Sequence, residues 1–214
     1  MLFTKEVWNH EFTQLLKLPI IITRKGLITK IKYKNDNQKH RNPLIGPAYI
    51  EYYKNGNIHY EIYYKNNKKY RLDGPANVSY YENGNIHYKH YYENDISHRL
   101  DGPADITYYR NGNVWIISYC ENGNLHRLDG PANVACYENG NIQYEEYYEN
   151  GKLHKLDGPA DIEYYENGNI LSEEYYENDN SHRLNGPALI RYYEDGRISS
   201  EEYWVNDKRI YQND

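Results

Sequence analysis

The sequence predicts an all-β protein, an elongated tandem-repeat antiparallel sheet of β-hairpins with a short N-terminal capping helix. Three observations carry that prediction. The tripeptide Gly-Pro-Ala returns at Gly46, Gly74, Gly102, Gly130, Gly158 and Gly186, each time after 28 residues. A second glycine stands ten residues after each of these, at Gly56, Gly84, Gly112, Gly140, Gly168 and Gly196. An asparagine stands twenty residues after, at Asn66, Asn94, Asn122, Asn150, Asn178 and Asn206. A fixed period of this length is the signature of a stacked array, in which each unit buries its surface against its neighbours.

The organisation follows from the phase. Residues 1–17 place Trp8, Phe12, Leu15 and Leu16 at helical spacing behind Thr4, a candidate N-cap, which suits a helix closing the open end of an array. Residues 18–45 fit a degenerate first repeat through Pro19, Ile22, Gly26, Ile28, Tyr33, Asn35 and His40. Six 28-residue repeats follow, at 46–73, 74–101, 102–129, 130–157, 158–185 and 186–213, and Trp204, Val205 and Ile210 replace the usual residues near the last end.

Within the unit 158–185, the segment from Ala160 to Glu166 runs into Asn167-Gly168, then Asn169 to Glu177 runs into Asn178-Asp179, which reads as two hairpin turns. A three-residue first loop with glycine in the left-handed region sets Tyr165 against Asn169, Tyr164 against Ile170 and Ile162 against Ser172. The same construction at the second turn sets Tyr148 beside Lys152, Glu146 beside His154 and Tyr144 beside Leu156. One face then collects Val134, Ile142, Tyr144, Tyr148 and Leu156, and the other Tyr137, Tyr147 and Asn141. Equivalent units need an even number of strand passes, so His126 to Ala132 is expected to be a kink or bulge within one long strand, where Pro131 lacks the ladder donor.

Composition sharpens the picture. Tyrosine numbers 28 and phenylalanine 2, so the sheet must be packed with rings whose hydroxyls need partners or water, which suits a thin sheet with wet margins. A net charge of −6 gives no basic field for a phosphate backbone and excludes nucleic acid as the expected partner. The two cysteines, Cys120 and Cys136, occupy tyrosine positions and offer neither a disulfide framework nor a zinc set. The start of the chain lacks the apolar run of a signal peptide and no stretch approaches ~18 apolar residues, so the expectation is a soluble, intracellular, cytoplasmic protein.

The pattern Tyr-Tyr-x-Asn-Gly, as in 147–154 with its Lys152 and His154, resembles MORN repeats, above all their shorter Asn-Gly variants, over about 18–213. The unit is longer than is typical of that family, with Arg-Leu-Asp-Gly-Pro-Ala in place of a shorter glycine link. The resemblance implies an extended, twisted antiparallel sheet used in protein scaffolding, and in some members membrane association, which the acidic charge opposes. Arrays with the Asp-Gly-Pro-Ala link also resemble repeat proteins of giant amoeba viruses, which implies host cytoplasm or virion as the location.

Neither metal nor catalytic chemistry is expected, and no cofactor. His98, His126, His154 and His182 recur one per unit, about 10 Å apart, too far to share an ion, and are expected to pair across the strand with carboxylates such as Glu146 and Glu174. The pairs Glu145-Glu146, Glu173-Glu174 and Glu201-Glu202 read as solvated strand charges, because a reaction centre needs one asymmetric constellation and these recur. The candidate partner-binding residues are two tyrosine rows expected on one face: Tyr53, Tyr81, Tyr109, Tyr137, Tyr165 and Tyr193, and Tyr63, Tyr91, Tyr119, Tyr147, Tyr175 and Tyr203. Rigid amphipathic rings make good contact surfaces. The expected function is a non-enzymatic scaffold for an unidentified protein partner, with self-association open through the array ends. The alternatives are an aromatic-lined glycan or choline-binding module and an antitoxin-like neutraliser of a protein.

Overall fold

The computed structural model describes residues 20–25, 28–35, 38–39, 42 and 45–211. The capping helix expected over 1–17 lies outside them. The described chain is all-β, a 16-stranded antiparallel sheet with five small two-stranded hairpins along it. The degenerate first unit enters as Ile20–Lys25 paired with Ile28–Asn35, which in turn pairs with Tyr49–Tyr52.

One unit shows how the sequence builds the rest. The first strand, Asn133–Cys136, pairs with Ile142–Glu146 of its own unit and with Val114–Ser118 of the unit before. Between the two strands, Tyr137 N–H donates to the Asn141 carbonyl at 2.8 Å and Gly140 N–H to the Tyr137 carbonyl at 2.9 Å. This is the expected three-residue loop, with Gly140 at φ 95°, a conformation that a side chain would strain. Asn139 Oδ1 accepts from Asn141 N–H at 2.8 Å, which fixes the turn locally.

Two expectations about register are corrected. A bulge lies between Ala135 and Cys136, so Ala135 faces Tyr144 and Cys136 faces Ile142, with Gln143 as the extra residue. In the next unit, Ile162 therefore faces Glu173 and Glu163 faces Ser172, instead of Ile162 facing Ser172. The second turn has two residues and not three, because Tyr148 pairs with Leu153 and Glu149 with Lys152. Asn150 and Gly151 both take positive φ, 52° and 79°, as the two-residue turn that matches strand twist demands. Asparagine followed by Asp, Asn or Gly meets the same demand at Asn66-Asn67, Asn94-Asp95 and Asn178-Asp179.

One slip moves every side chain to the other face, so the faces change with it. Asn133, Ala135, Tyr144, Glu146 and Tyr148 share one face, while Val134, Glu145 and Tyr147 share the other. Val134 and Tyr144 are thus separated, and Leu156 lies on neither face.

The link between units is a bulge within one strand direction. Tyr147 N–H donates to the Ala160 carbonyl at 2.7 Å, and the Tyr147 carbonyl accepts from His154 N–H at 2.9 Å. Residues 155–159 therefore loop out opposite a single tyrosine. The chain re-enters the sheet at alanines with almost no exposure, Ala76, Ala104, Ala132, Ala160 and Ala188. Ala132 N–H donates to the Glu146 carbonyl at 2.8 Å, and its methyl group is wholly covered. Among the described residues no large side chain is fully buried, as a single thin sheet requires.

Candidate functional surfaces

The two tyrosine rows fall on opposite faces, by the alternation that separates Tyr137 and Tyr144 from Tyr147. The expectation of one shared face is corrected by the bulge at Gln143, which shifts the second strand by one residue.

In the first row, each ring leans onto the following unit. The hydroxyls of Tyr53, Tyr81, Tyr109, Tyr137 and Tyr165 donate to the carbonyls of Tyr80, Tyr108, Cys136, Tyr164 and Tyr192 at 2.7–2.9 Å. Asn55, Asn83, Asn111 and Asn139 bind the loop of the next unit in the same way, through carbonyls of Glu82, Arg110, Glu138 and Glu166. Burial first of all pushes the phenols of Tyr53 and Tyr109 above their ordinary range. Tyr193 ends the row, 53% exposed.

In the second row, the first five rings each lie under a cation from the looped-out link. The guanidiniums of Arg71, Arg99, Arg127 and Arg183 sit 3.8–4.1 Å from the centroids of Tyr63, Tyr91, Tyr119 and Tyr175, and Lys155 Nζ sits 3.5 Å from Tyr147. Arg127 also donates Nε–H to Asp129 at 2.7 Å and Nη1–H to the Pro131 carbonyl at 3.4 Å. It thereby braces the link, and holds the Asp129 carboxyl below its usual range. The Arg127 guanidinium lies close over Gly130, where a Cβ would come 3.0 Å from its Cζ, so a side chain there would have to displace the guanidinium. Tyr203 lies in the uninterrupted strand Ile198–Val205, facing Ile210.

The links form parallel ridges with grooves between them, and the apolar residue at each tip points to water. Leu72, Leu100, Leu128, Leu156 and Leu184 are 80%, 77%, 79%, 77% and 74% exposed. Leu156 was expected beside Tyr144 on an apolar face and stands on a ridge instead, because the bulge lifts it off the sheet. One groove is bounded by Leu128 and Leu156, with Tyr147, Tyr148 and His154 along its floor and walls, and equivalent grooves lie between Leu100 and Leu128 and between Leu156 and Leu184. The sequence did hold a signal for this row: a leucine stands directly before Asp-Gly in four units and before Asn185-Gly186 in the fifth, each a turn pair.

The histidines pair elsewhere than expected. His126, His154 and His182 approach Glu121, Glu149 and Glu177 of their own small hairpins at 3.7–3.9 Å, and not Glu146 or Glu174. The Nδ1 atoms of His98, His126 and His154 accept from the backbone N–H of Asn122, Asn150 and Asn178 at 3.1–3.2 Å, joining each hairpin to the next. Among the described residues no group of three or more His, Cys, Asp or Glu could hold a metal ion. Burial raises both thiols, that of Cys120 to about 11, which suppresses thiolate chemistry.

The paired carboxylates are divided between the faces. Glu145 accepts from the Tyr164 hydroxyl at 2.8 Å on one face, while Glu146 accepts from Asn133 Nδ2 at 2.7 Å on the other. Glu173 and Glu174 likewise accept from Tyr192 and Tyr176, each at 2.7 Å.

One acid in this ladder lacks such relief. Asp161 pairs in register with Glu146 on one side and Glu174 on the other. Burial first, and then those two carboxylates and Glu163, push its carboxyl up to about 7. Asp105, at the equivalent position, instead has the His90 imidazole 3.8 Å away, and Asn77 and Asn133 fill the position with an amide. A folded-state pKa raised above the unfolded value of ~3.9 contributes stability at low pH that is lost as pH rises through about 7. Asp161→Asn is therefore expected to leave melting nearly unchanged at pH 4 and to stabilise the protein at pH 8. Solvent screening of this partly exposed group reduces the gain to about 1–2 kcal/mol. Thermal melts of both proteins across that pH range check it, and an equal shift at both ends would remove the carboxylate repulsion from the account.

Among the described residues no helix is long and apolar enough to cross a membrane. No curated protein matches the chain. The profile of the MORN repeat variant matches it over 48–66, 77–94, 137–150, 143–156 and 162–178, each segment containing an Asn-Gly turn, so that these parts of the array are similar to that family's repeats.

Proposed function

We infer that the chain is a non-enzymatic scaffold that holds a protein partner along its repeated surface. The observation that carries this reading is the recurrence itself. The same ring, cation, ridge and groove return every 28 residues, which suits a long contact made of many equal parts and not a reaction at one place. The row of Tyr91, Tyr119, Tyr147 and Tyr175 supplies the proposed contacts, because it borders the grooves and each ring is already held rigid under its cation. A pre-ordered aromatic surface loses little entropy on binding. The row of Tyr53, Tyr81, Tyr109, Tyr137 and Tyr165 holds successive units together.

The test is capture from an extract of the source organism, with cross-linking to map the contact. Replacing Tyr119 and Tyr147 by leucine keeps the apolar bulk under the cations and removes the aromatic faces. Loss of the captured protein with a small change in melting supports the reading. Unchanged capture, or cross-links confined to the opposite face, overturns the tyrosine assignment, and glycan binding by the same surface in place of a protein overturns the function.

A further inference from the structure

The leucine ridge is unexplained by folding and by the tyrosine rows alike. Five leucines stand about three-quarters exposed, one per unit. An exposed position elsewhere in the unit drifts freely: the residue after the second turn reads Lys68, Ile96, Asn124, Lys152, Asn180 and Lys208 along the chain. The link tip stays leucine in all five units that carry Arg/Lys-Leu-Asp/Asn-Gly-Pro, although its side chain packs against little there. Single exposed leucines need no explanation, whereas a regular line of them marks an association surface.

The geometry points to a second copy of this chain as the occupant: two arrays pack ridge to ridge, the leucines of one seated in the grooves between the leucines of the other. Pitch is the first argument. The tips repeat every two strands, about 10 Å, and a partner engages the whole line only if its own knobs repeat at the same interval and follow the same twist, as an identical array does. Charge is the second. Each groove edge carries both signs, a cation such as Arg127 and an acid such as Asp129, whose side chain is 83% exposed. Such a surface is complementary to itself when turned about a two-fold axis, and self-complementarity is what a symmetric dimer interface requires. Area is the third. The five leucines expose together on the order of 700 Å² per copy, close to the ~800 Å² that each side of a stable complex buries. This contact lies along the flank of the array and so differs from association through its ends. It needs no other protein, so its test is separate from that of the scaffold reading, although a second copy and such a partner would compete for the same grooves.

The experiment is sedimentation equilibrium of the full chain from about 1 to 100 μM, with the variant L100D/L128D/L156D beside it and circular dichroism as the check on folding. The expected result is a concentration-dependent dimer for the wild type, weakened at least 100-fold in the variant with the β spectrum unchanged. If the aspartates disturb the fold, L100A/L128A/L156A removes apolar area without charge and is expected to weaken the dimer at least 10-fold. A wild type that stays monomeric at 100 μM overturns the inference, as does a dimer that persists in the alanine variant. Binding of the monomeric wild type to phosphatidylcholine/phosphatidylserine vesicles, abolished in the same variants, overturns it in favour of a lipid surface.

Discussion

Replacing Tyr109, Tyr137 and Tyr165 together by serine is expected to destabilise the array by about 4–6 kcal/mol, a large share of the ~5–15 kcal/mol that holds a typical domain. Each ring is partly buried and spans to the next unit, and each hydroxyl satisfies a backbone carbonyl there. Half-burial of a large ring contributes about 1 kcal/mol and the hydrogen bond about as much again, repeated three times. Tyr193 provides the control. It occupies the same position of the repeat, but is 53% exposed, and among the described residues its hydroxyl meets no carbonyl. Tyr193→Ser is expected to cost under about 1 kcal/mol. Denaturant unfolding of the two variants measures both. Equal small losses would show that the row bears little of the stability and would return it to the candidate contacts.

The contrast between Tyr165 and Tyr193 also shows what was legible in the sequence. Period, two strand passes per unit, the antiparallel sheet and the first turn all follow from glycines and asparagines at fixed offsets, because backbone geometry restricts those residue types directly. The bulge after the first turn leaves no such mark. Its extra residue is His59, Trp115, Gln143 or Ser199 in different units, and in each the backbone and not the side chain defines it. Missing that one residue exchanged the faces of the second strand, joined two tyrosine rows that lie apart, and placed Leu156 beside Tyr144. The second turn was misread for a related reason: a Gly151 in left-handed geometry fits a three-residue loop as well as a two-residue one, and Asn178-Asp179 without glycine is what favours two residues with positive φ. Apolar character alone places Leu156 on a packed face, whereas the five-residue bulge opposite Tyr147 pushes it into water.

The histidines were legible in part. Their spacing of one per unit excluded a shared ion, but their partners depended on the second turn, whose shorter loop brings His154 to Glu149 and aims its Nδ1 at the backbone of Asn178. The split of Glu145 from Glu146 follows from alternation alone, but the tyrosine hydroxyls that they meet follow from the bulge.

The central claim is that the unit of structure is one 28-residue repeat bound only to its neighbours, so that stability and surface are both distributed along the array. Bonds that leave a unit support it: Tyr137 reaches Tyr164, His126 reaches Asn150 and Lys155 N–H reaches the Tyr176 carbonyl, all in the adjacent unit. Removal of residues 130–157 as a block joins Asp129 to Gly158 and restores each of these contacts with the next unit in line, whereas removal of residues 130–143 joins a link to the middle of a second strand and exchanges the faces. The most direct test is a pair of thermal melts followed by circular dichroism. The block deletion is expected to keep the β spectrum and a cooperative transition, with a modest fall in melting temperature for one lost interface, and the half-block deletion is expected to abolish the transition or confine it to the units on one side. Loss of the fold in both, or its full retention in both, would contradict an array built of independent 28-residue units.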